Sequence, residues 1–141
     1  MINVGILGAT GYAGIELVRI LSQHPDVKLV YLASQTYADK NISDVYPNLR
    51  GILDISCEEL DIEKAAKECD IVFTALPHGA SKAVIPQLVE KGLKIIDLSG
   101  DYRYNDAAVY EKWYGEKHES PELLSKSVYG LPELYRNKIK N

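Results

Sequence analysis

Runs of apolar residues with strand character alternate along this chain with stretches where apolar residues recur at helical spacing. Ile2, Val4, Ile6 and Leu7 open the sequence as a near-continuous apolar run, the pattern of a parallel strand buried on both faces. Ala13, Leu17, Ile20 and Leu21 then fall at i, i+4, i+7 and i+8, the single stripe of a helix lying on a sheet. His24-Pro25-Asp26 stops that helix, and residues 27–33 (VKLVYLA) read as a second strand. Residues 42–51 read as a loop, because Pro47-Asn48 and Gly51 break any period, and 52–55 as a short strand. Residues 60–68 have the composition of a short helix. A strong strand over 70–76 turns at Pro77-His78-Gly79 into a helix over 80–91, which Gly92 stops, and a further strand covers 94–98.

This alternation predicts an α/β fold: a Rossmann-like, doubly wound, mostly parallel sheet with helices on both faces. At 141 residues it fits one domain, 1–141, with a substantial core. Past Tyr102 the texture changes. Six of the ten tyrosines (102, 104, 110, 114, 129 and 135) lie there with Trp113, and short helices are expected over 107–114 and 121–126. Most of these tyrosines read as packing over the sheet edge, and some as a surface for a second domain.

The turn between the first strand and helix carries the candidate chemistry. Gly8-Ala9-Thr10-Gly11-Tyr12-Ala13-Gly14 spaces its glycines G-x-x-G-x-x-G. Glycines there let the backbone approach a pyrophosphate, which meets the amides and positive dipole of the helix N-terminus. Thr10 adds a hydroxyl that can cap the helix or bind phosphate. No Gly-Lys-Ser/Thr closes the turn, so it is not a Walker loop. An NAD site usually places Asp or Glu about 20 residues further on, at the end of the second strand, to bind the ribose 2′-hydroxyl. Here stand Ser34-Gln35-Thr36, then Tyr37 and Lys40, which would accept a 2′-phosphate and favour NADP. Ligands of such sheets sit beyond the carboxyl ends of the strands. Gly8–Gly11, Ser34, Leu76–Gly79 and Ser99 should therefore gather round one crevice, with His78 beside the nicotinamide end.

A net charge of −4 without a Lys/Arg cluster argues against nucleic acid, and no apolar run approaches the length that spans a bilayer. The N-terminus shows no basic region or cleavage site, so a cytoplasmic location is expected. No histidine pair has ligand spacing with a cysteine or carboxylate, so no metal is expected. His24 and His118 read as surface residues. Cys57, in Ser-Cys-Glu-Glu where carboxylates raise a thiol pKa, and Cys69 read as structural, and no Tyr-x-x-x-Lys pair occurs. No catalytic residue is assigned.

With Gly8–Leu17 in view, the chain resembles the N-acetyl-gamma-glutamyl-phosphate reductases of arginine biosynthesis over nearly its whole length. The resemblance also rests on His24-Pro25, Ser34 with Tyr37-Ala38, Leu49-Arg50-Gly51, Ala75-Leu76-Pro77-His78-Gly79 and Ile96-Asp97-Leu98-Ser99. It continues through Asp101-Tyr102-Arg103, Tyr110–Tyr114 and Tyr129-Gly130-Leu131-Pro132-Glu133-Leu134. The glycine motif is shared with the related aspartate-semialdehyde dehydrogenases. The resemblance implies the NADP-binding part of a two-domain oxidoreductase that reduces an acyl phosphate, N-acetyl-glutamyl phosphate, to a semialdehyde with NADPH. In that family a cysteine of an Asn-Pro-Gly-Cys run forms a thioester that accepts hydride, and the intact enzyme is a homo-oligomer. Neither Cys57 nor Cys69 matches that cysteine, so the catalytic and dimerisation domain is expected to be absent and this chain alone inactive. Carried over, Gly8, Thr10, Gly11, Tyr12 and Ala13 hold the pyrophosphate, and Ser34, Tyr37 and Lys40 meet the 2′-phosphate. Leu76, Pro77, His78 and Gly79 lie along the nicotinamide riboside, and Arg103 faces the substrate's carboxylate or phosphate. Gln35 and Asp39 depart from the arginine and glycine common in the family. Two alternatives stay open: a stand-alone nucleotide-binding module, and the NADP domain of an enzyme like aspartate-semialdehyde dehydrogenase.

Overall fold

The computed structural model describes residues 1–140, so the last residue of the expected domain, Asn141, lies outside the described residues. Five strands, β1 (Ile2–Leu7), β2 (Val27–Ala33), β3 (Cys57–Glu58), β4 (Ile71–Thr74) and β5 (Lys94–Asp97), form one sheet in the order β3-β2-β1-β4-β5. Every pairing is parallel, so all the carboxyl ends lie along one edge. The chain moves outward from β1 to β2 and β3, then returns to β1's other side for β4 and β5. The strand order therefore reverses between β1 and β4, the point at which such sheets open a crevice.

The helices are α1 (Tyr12–Leu21), α2 (Ile42–Val45), α3 (Ile62–Glu68), α4 (Ala80–Glu90), α5 (Ala107–Tyr114), α6 (Pro121–Leu124) and α7 (Pro132–Ile139). One face of the sheet buries Val4, Ile6, Leu29 and Leu32 against Val18 of α1. The other buries Leu7, Tyr31, Ala33 and Val72 against Ala65 of α3 and Val84 and Leu88 of α4. Leu29 and Tyr31 reach opposite faces although they are two residues apart. The register with β1 slips between Val4, paired with Leu29, and Gly5, paired with Tyr31. That bulge at Val30 inverts the alternation, so Leu29 and Leu32 serve one core while Tyr31 and Ala33 serve the other.

Three expectations change. Residues 52–55 form no strand: Leu53 and Ile55 pack against the core beneath α1, and the edge strand is the two-residue β3 further on. The backbone amide of Cys57 there donates to Lys40 O at 2.8 Å, and that of Asp39, at φ 64°, donates to Cys57 O at 2.8 Å. Those bonds fold the chain back on itself instead of extending the ladder. The expected loop over 42–51 contains α2, started by the Asn41 side chain accepting from Ser43 N at 2.9 Å, and a 3-10 turn over Pro47–Leu49 that buries Leu49. Finally, α7 was not anticipated; Pro132 fits its first turn and none of its residues is buried. Among the described residues no helix is long and apolar enough to cross a membrane.

Candidate functional site

The glycine turn is built by two close approaches. Gly8 sits at φ 84°, a conformation that disfavours a side chain, and a Cβ there would also run into the carbonyl of Ala75 at the end of β4. A Cβ on Gly14 would collide with the Gly8 carbonyl and the Ala9 backbone, so α1 lies directly on the turn. The amides of Gly8 and Ala9 donate to Ala33 O at 2.9 and 3.0 Å, tying the turn to the end of β2. Gly11 is the N-cap of α1 and no side chain caps it. The first-turn amides of Tyr12, Ala13 and Gly14 thus have no intrahelical acceptor, and Tyr12 points its ring into solvent. This is the arrangement that receives an anion. Thr10 turns away from capping: its hydroxyl lies 2.6 Å from that of Ser34. Tyr46, which the sequence did not single out, fixes the turn from behind by donating to Thr10 O at 2.6 Å.

At the end of β2, Ser34 is 4% exposed, and its oxygen also accepts from Tyr37 N at 3.2 Å. Lys40 is exposed, with its ammonium 5.7 Å from the Tyr37 ring centre. Gly8–Thr10 and Ser34 are therefore in direct contact, and Gly8 abuts Ala75 beside Leu76. These contacts gather the glycine turn and Ser34 at the ends of β1 and β2, beside the turn that follows β4.

That second half is organised by two carboxylates. Asp97 receives Thr74 Oγ1 at 2.6 Å, Ser81 Oγ at 3.1 Å and Ser99 Oγ at 2.7 Å, joining the ends of β4 and β5 to the start of α4. Asp101 is wholly buried and accepts from Gly79 N through both oxygens, at 3.2 and 3.0 Å. Gly79, at φ 85°, is the N-cap of α4, so the chain's own carboxylate occupies that helix end. An anion is left to α1. His78 lies with Nδ1 3.0 Å from Asp101 Oδ1 and Nε2 3.3 Å from Glu116 Oε1, its ring stacked on Tyr114 with centroids 4.6 Å apart. It is thus pinned by carboxylates rather than hydrogen-bonded to backbone. Glu116 pairs with Lys82 at 3.0 Å, and that bond holds its carboxyl below the usual range. Burial pushes the Tyr110 phenol up, and the nearby Asp101 and Glu116 charges add to the shift.

The reading of His118 as a surface residue is wrong. It is 6% exposed; Nδ1 accepts from Ser120 N at 3.2 Å, so Nε2 donates to Asp101 O at 2.8 Å. A charged neighbourhood in sequence concealed a side chain folded under Tyr102 and Tyr110, both edge-on to it at 4.9 Å. The cause assigned to Cys57 also changes, since burial raises its pKa rather than the adjacent glutamates. Arg103 lies 5.4 Å over the Tyr129 ring and lines, with Ser99, Gly100 and Ile96, a groove of about 950 Å³ along the outer edge of β5. Among the described residues no group of three or more His, Cys, Asp or Glu is placed to hold a metal ion.

The family described as semialdehyde dehydrogenase, NAD binding domain, matches residues 3–141. The chain belongs to that family. It is 55% identical over 141 residues to an N-acetyl-gamma-glutamyl-phosphate reductase of Acetivibrio thermocellus, covering all of this chain and 41% of that protein. It is 54% identical over 140 residues to the protein of that name from Halothermothrix orenii, covering 99% of this chain and 40% of the relative. The chain thus spans about two fifths of the length of these relatives. Among solved structures, aspartate semialdehyde dehydrogenase with NADP from Candida albicans superposes with a TM-score of 0.66 at 25% identity, over 84% of this chain and 40% of that one. The family and the all-parallel sheet together make this a Rossmann-like NAD(P)-binding domain.

Proposed function

We propose that this chain is the NADP(H)-binding part of an N-acetyl-gamma-glutamyl-phosphate reductase. The observation that carries the proposal is 55% identity along the whole chain to a protein of that name. The aspartate semialdehyde dehydrogenase likeness is weaker, at 25%, and supports the cofactor more than the substrate. In this reading the amides opening α1, with Gly8, Thr10, Gly11, Tyr12 and Ala13, hold the pyrophosphate. Ser34, Tyr37 and Lys40 meet the 2′-phosphate, since Ser34, Gln35 and Thr36 stand where an NAD site carries Asp or Glu. Leu76, Pro77, His78 and Gly79 lie along the nicotinamide riboside with Ser99 behind them, and Arg103 faces the substrate anion. The reductase reaction delivers hydride from NADPH to an acyl group carried on a cysteine. Cys57 and Cys69 are both buried and free, a setting that does not suit a nucleophile that must meet substrate. The nucleophile, and the contacts that make a homo-oligomer, then belong to the part of the relatives that this chain does not span. Two unpaired, buried cysteines accord with a reducing compartment such as the cytoplasm.

The test mixes this chain with N-acetyl-γ-glutamyl phosphate and NADPH and follows absorbance of the reduced nicotinamide. Fluorescence quenching that reports bound NADPH, with no substrate-dependent oxidation, is expected. Turnover by this chain alone would overturn the division of labour.

A further inference from the structure

The Leu76–Gly79 turn is gripped from the side facing away from α1. Asp101, on the loop after β5, holds the Gly79 amide with both oxygens and also accepts from Tyr110 Oη at 3.3 Å. Glu116, just past α5, accepts from Tyr110 Oη at 3.2 Å and pairs with Lys82 of α4, whose side chain is 9% exposed. Between these carboxylates lies the His78 imidazole, with Nδ1 3.0 Å from Asp101 Oδ1 and Nε2 3.3 Å from Glu116 Oε1, and Tyr114 covers its face. Gly100 admits no Cβ because the Tyr114 phenol fills that space. The charged and titratable groups around the ring are therefore Asp101, Glu116, Lys82, Tyr110 and Tyr114, drawn from three separate segments. Burying a carboxylate and an ammonium is costly unless each is fully partnered. Here Asp101 takes its partners from the turn and from Tyr110, and Lys82 is tied to it through Glu116.

We propose that Asp101 and Glu116 are positioning residues for the nicotinamide half of the cofactor, fixing the His78 ring and the Gly79 amide against which that half is laid. The inference rests on the reading of the crevice as an NADP(H) site. Neither carboxylate is assigned a contact with the cofactor; both act through the turn. The adenosine half, over Gly8–Ala13 and Ser34, is held by a different set of bonds, so the two halves respond separately to substitution.

The experiment titrates wild-type chain, Asp101→Asn, Glu116→Gln, His78→Ala and the His78→Ala/Glu116→Gln pair with two ligands. NADPH probes both halves, and adenosine 2′,5′-bisphosphate probes the adenosine half alone. Loosening the ring or the turn should weaken NADPH binding about tenfold in each single variant. Bisphosphate binding should stay within about twofold of wild type, as expected for a site not coupled to the change. The double variant should bind NADPH no more weakly than His78→Ala, because Glu116 acts through that ring. Asp101 is wholly buried, so Glu116→Gln, on a half-exposed side chain, decides the question should Asp101→Asn fail to fold. Unchanged NADPH affinity, equal losses for both ligands, or additive losses in the double variant would each overturn the inference. A wild-type chain that binds neither ligand removes the cofactor reading itself, and the inference with it.

Discussion

Cys69 lies against Gly5 in the middle of β1, where a Cβ would come within 2.7 Å of its sulfur, so the missing side chain of one residue is the room for the other. Burial, with Glu68 and Asp70 beside it, pushes its thiol up to about 11, and burial alone pushes up Cys57. Thiolate is the reactive form. Ellman's reagent at pH 8 should therefore find no reactive thiol in the native chain and two after denaturation; rapid labelling of the native protein would contradict this packing. At this scale the sequence is readable where a residue stands in a local pattern. Gly8, Gly11 and Ser34 announce themselves by spacing from a strand end. Asp101, Glu116, Lys82 and Tyr46 do not, because their partners are 20 or more residues away in most cases and only the crossover connections bring them together. His118 misled for the same reason: flanking charges describe the chain, not the fold around it.

Among the elements, the join of β1 to α1 is the tightest. Alanine in a helix ordinarily stabilises by about 1 kcal/mol over glycine. At Gly14 the order should reverse, because the new methyl meets the Gly8 carbonyl and the Ala9 backbone. Gly14→Ala is expected to destabilise by about 1–3 kcal/mol, read from the denaturant midpoint, and to weaken nucleotide binding. A stabilised variant would mean that α1 stands off the turn. The contact of α4 with the segment after α5 makes a second prediction. The Lys82 bond depresses the Glu116 carboxyl below its ordinary value of 4.5. A depressed folded-state pKa gives stability that is present above 4.5 and lost as pH falls through the lower folded value. Glu116→Gln, which leaves the buried Lys82 ammonium without its counter-charge, should thus lower the urea midpoint at pH 7, and the gap should close in acid. A gap that persists once the carboxyl is protonated in both states would assign it to packing instead. The strands and longer helices were predictable from periodicity, but the 52–55 region shows its limit: Leu53 and Ile55 have strand-like side chains and fill core beneath α1 as a loop. Apolar content fixes burial, and ladder pairing depends on what lies beside it.

For the whole molecule, the order β3-β2-β1-β4-β5 turns five separate strand ends into one edge, and the reversal between β1 and β4 sets the glycine turn next to the His78 turn. Alternation of strands and helices was enough to foresee that edge. It could not show that the region after Tyr102 braces the His78 turn, since tyrosines, a histidine and carboxylates spread over 101–118 carry no periodic signal. Under the proposed function this edge holds NADP(H), selected by Ser34, Gln35 and Thr36, where an NAD site would carry a carboxylate. Calorimetric titration of the chain with NADPH and, separately, NADH tests it most directly. One saturable site is expected, binding NADPH at least about tenfold more tightly, the contribution of about one charge-assisted contact to the 2′-phosphate. Equal affinity for the two, or a preference for NADH, would contradict it.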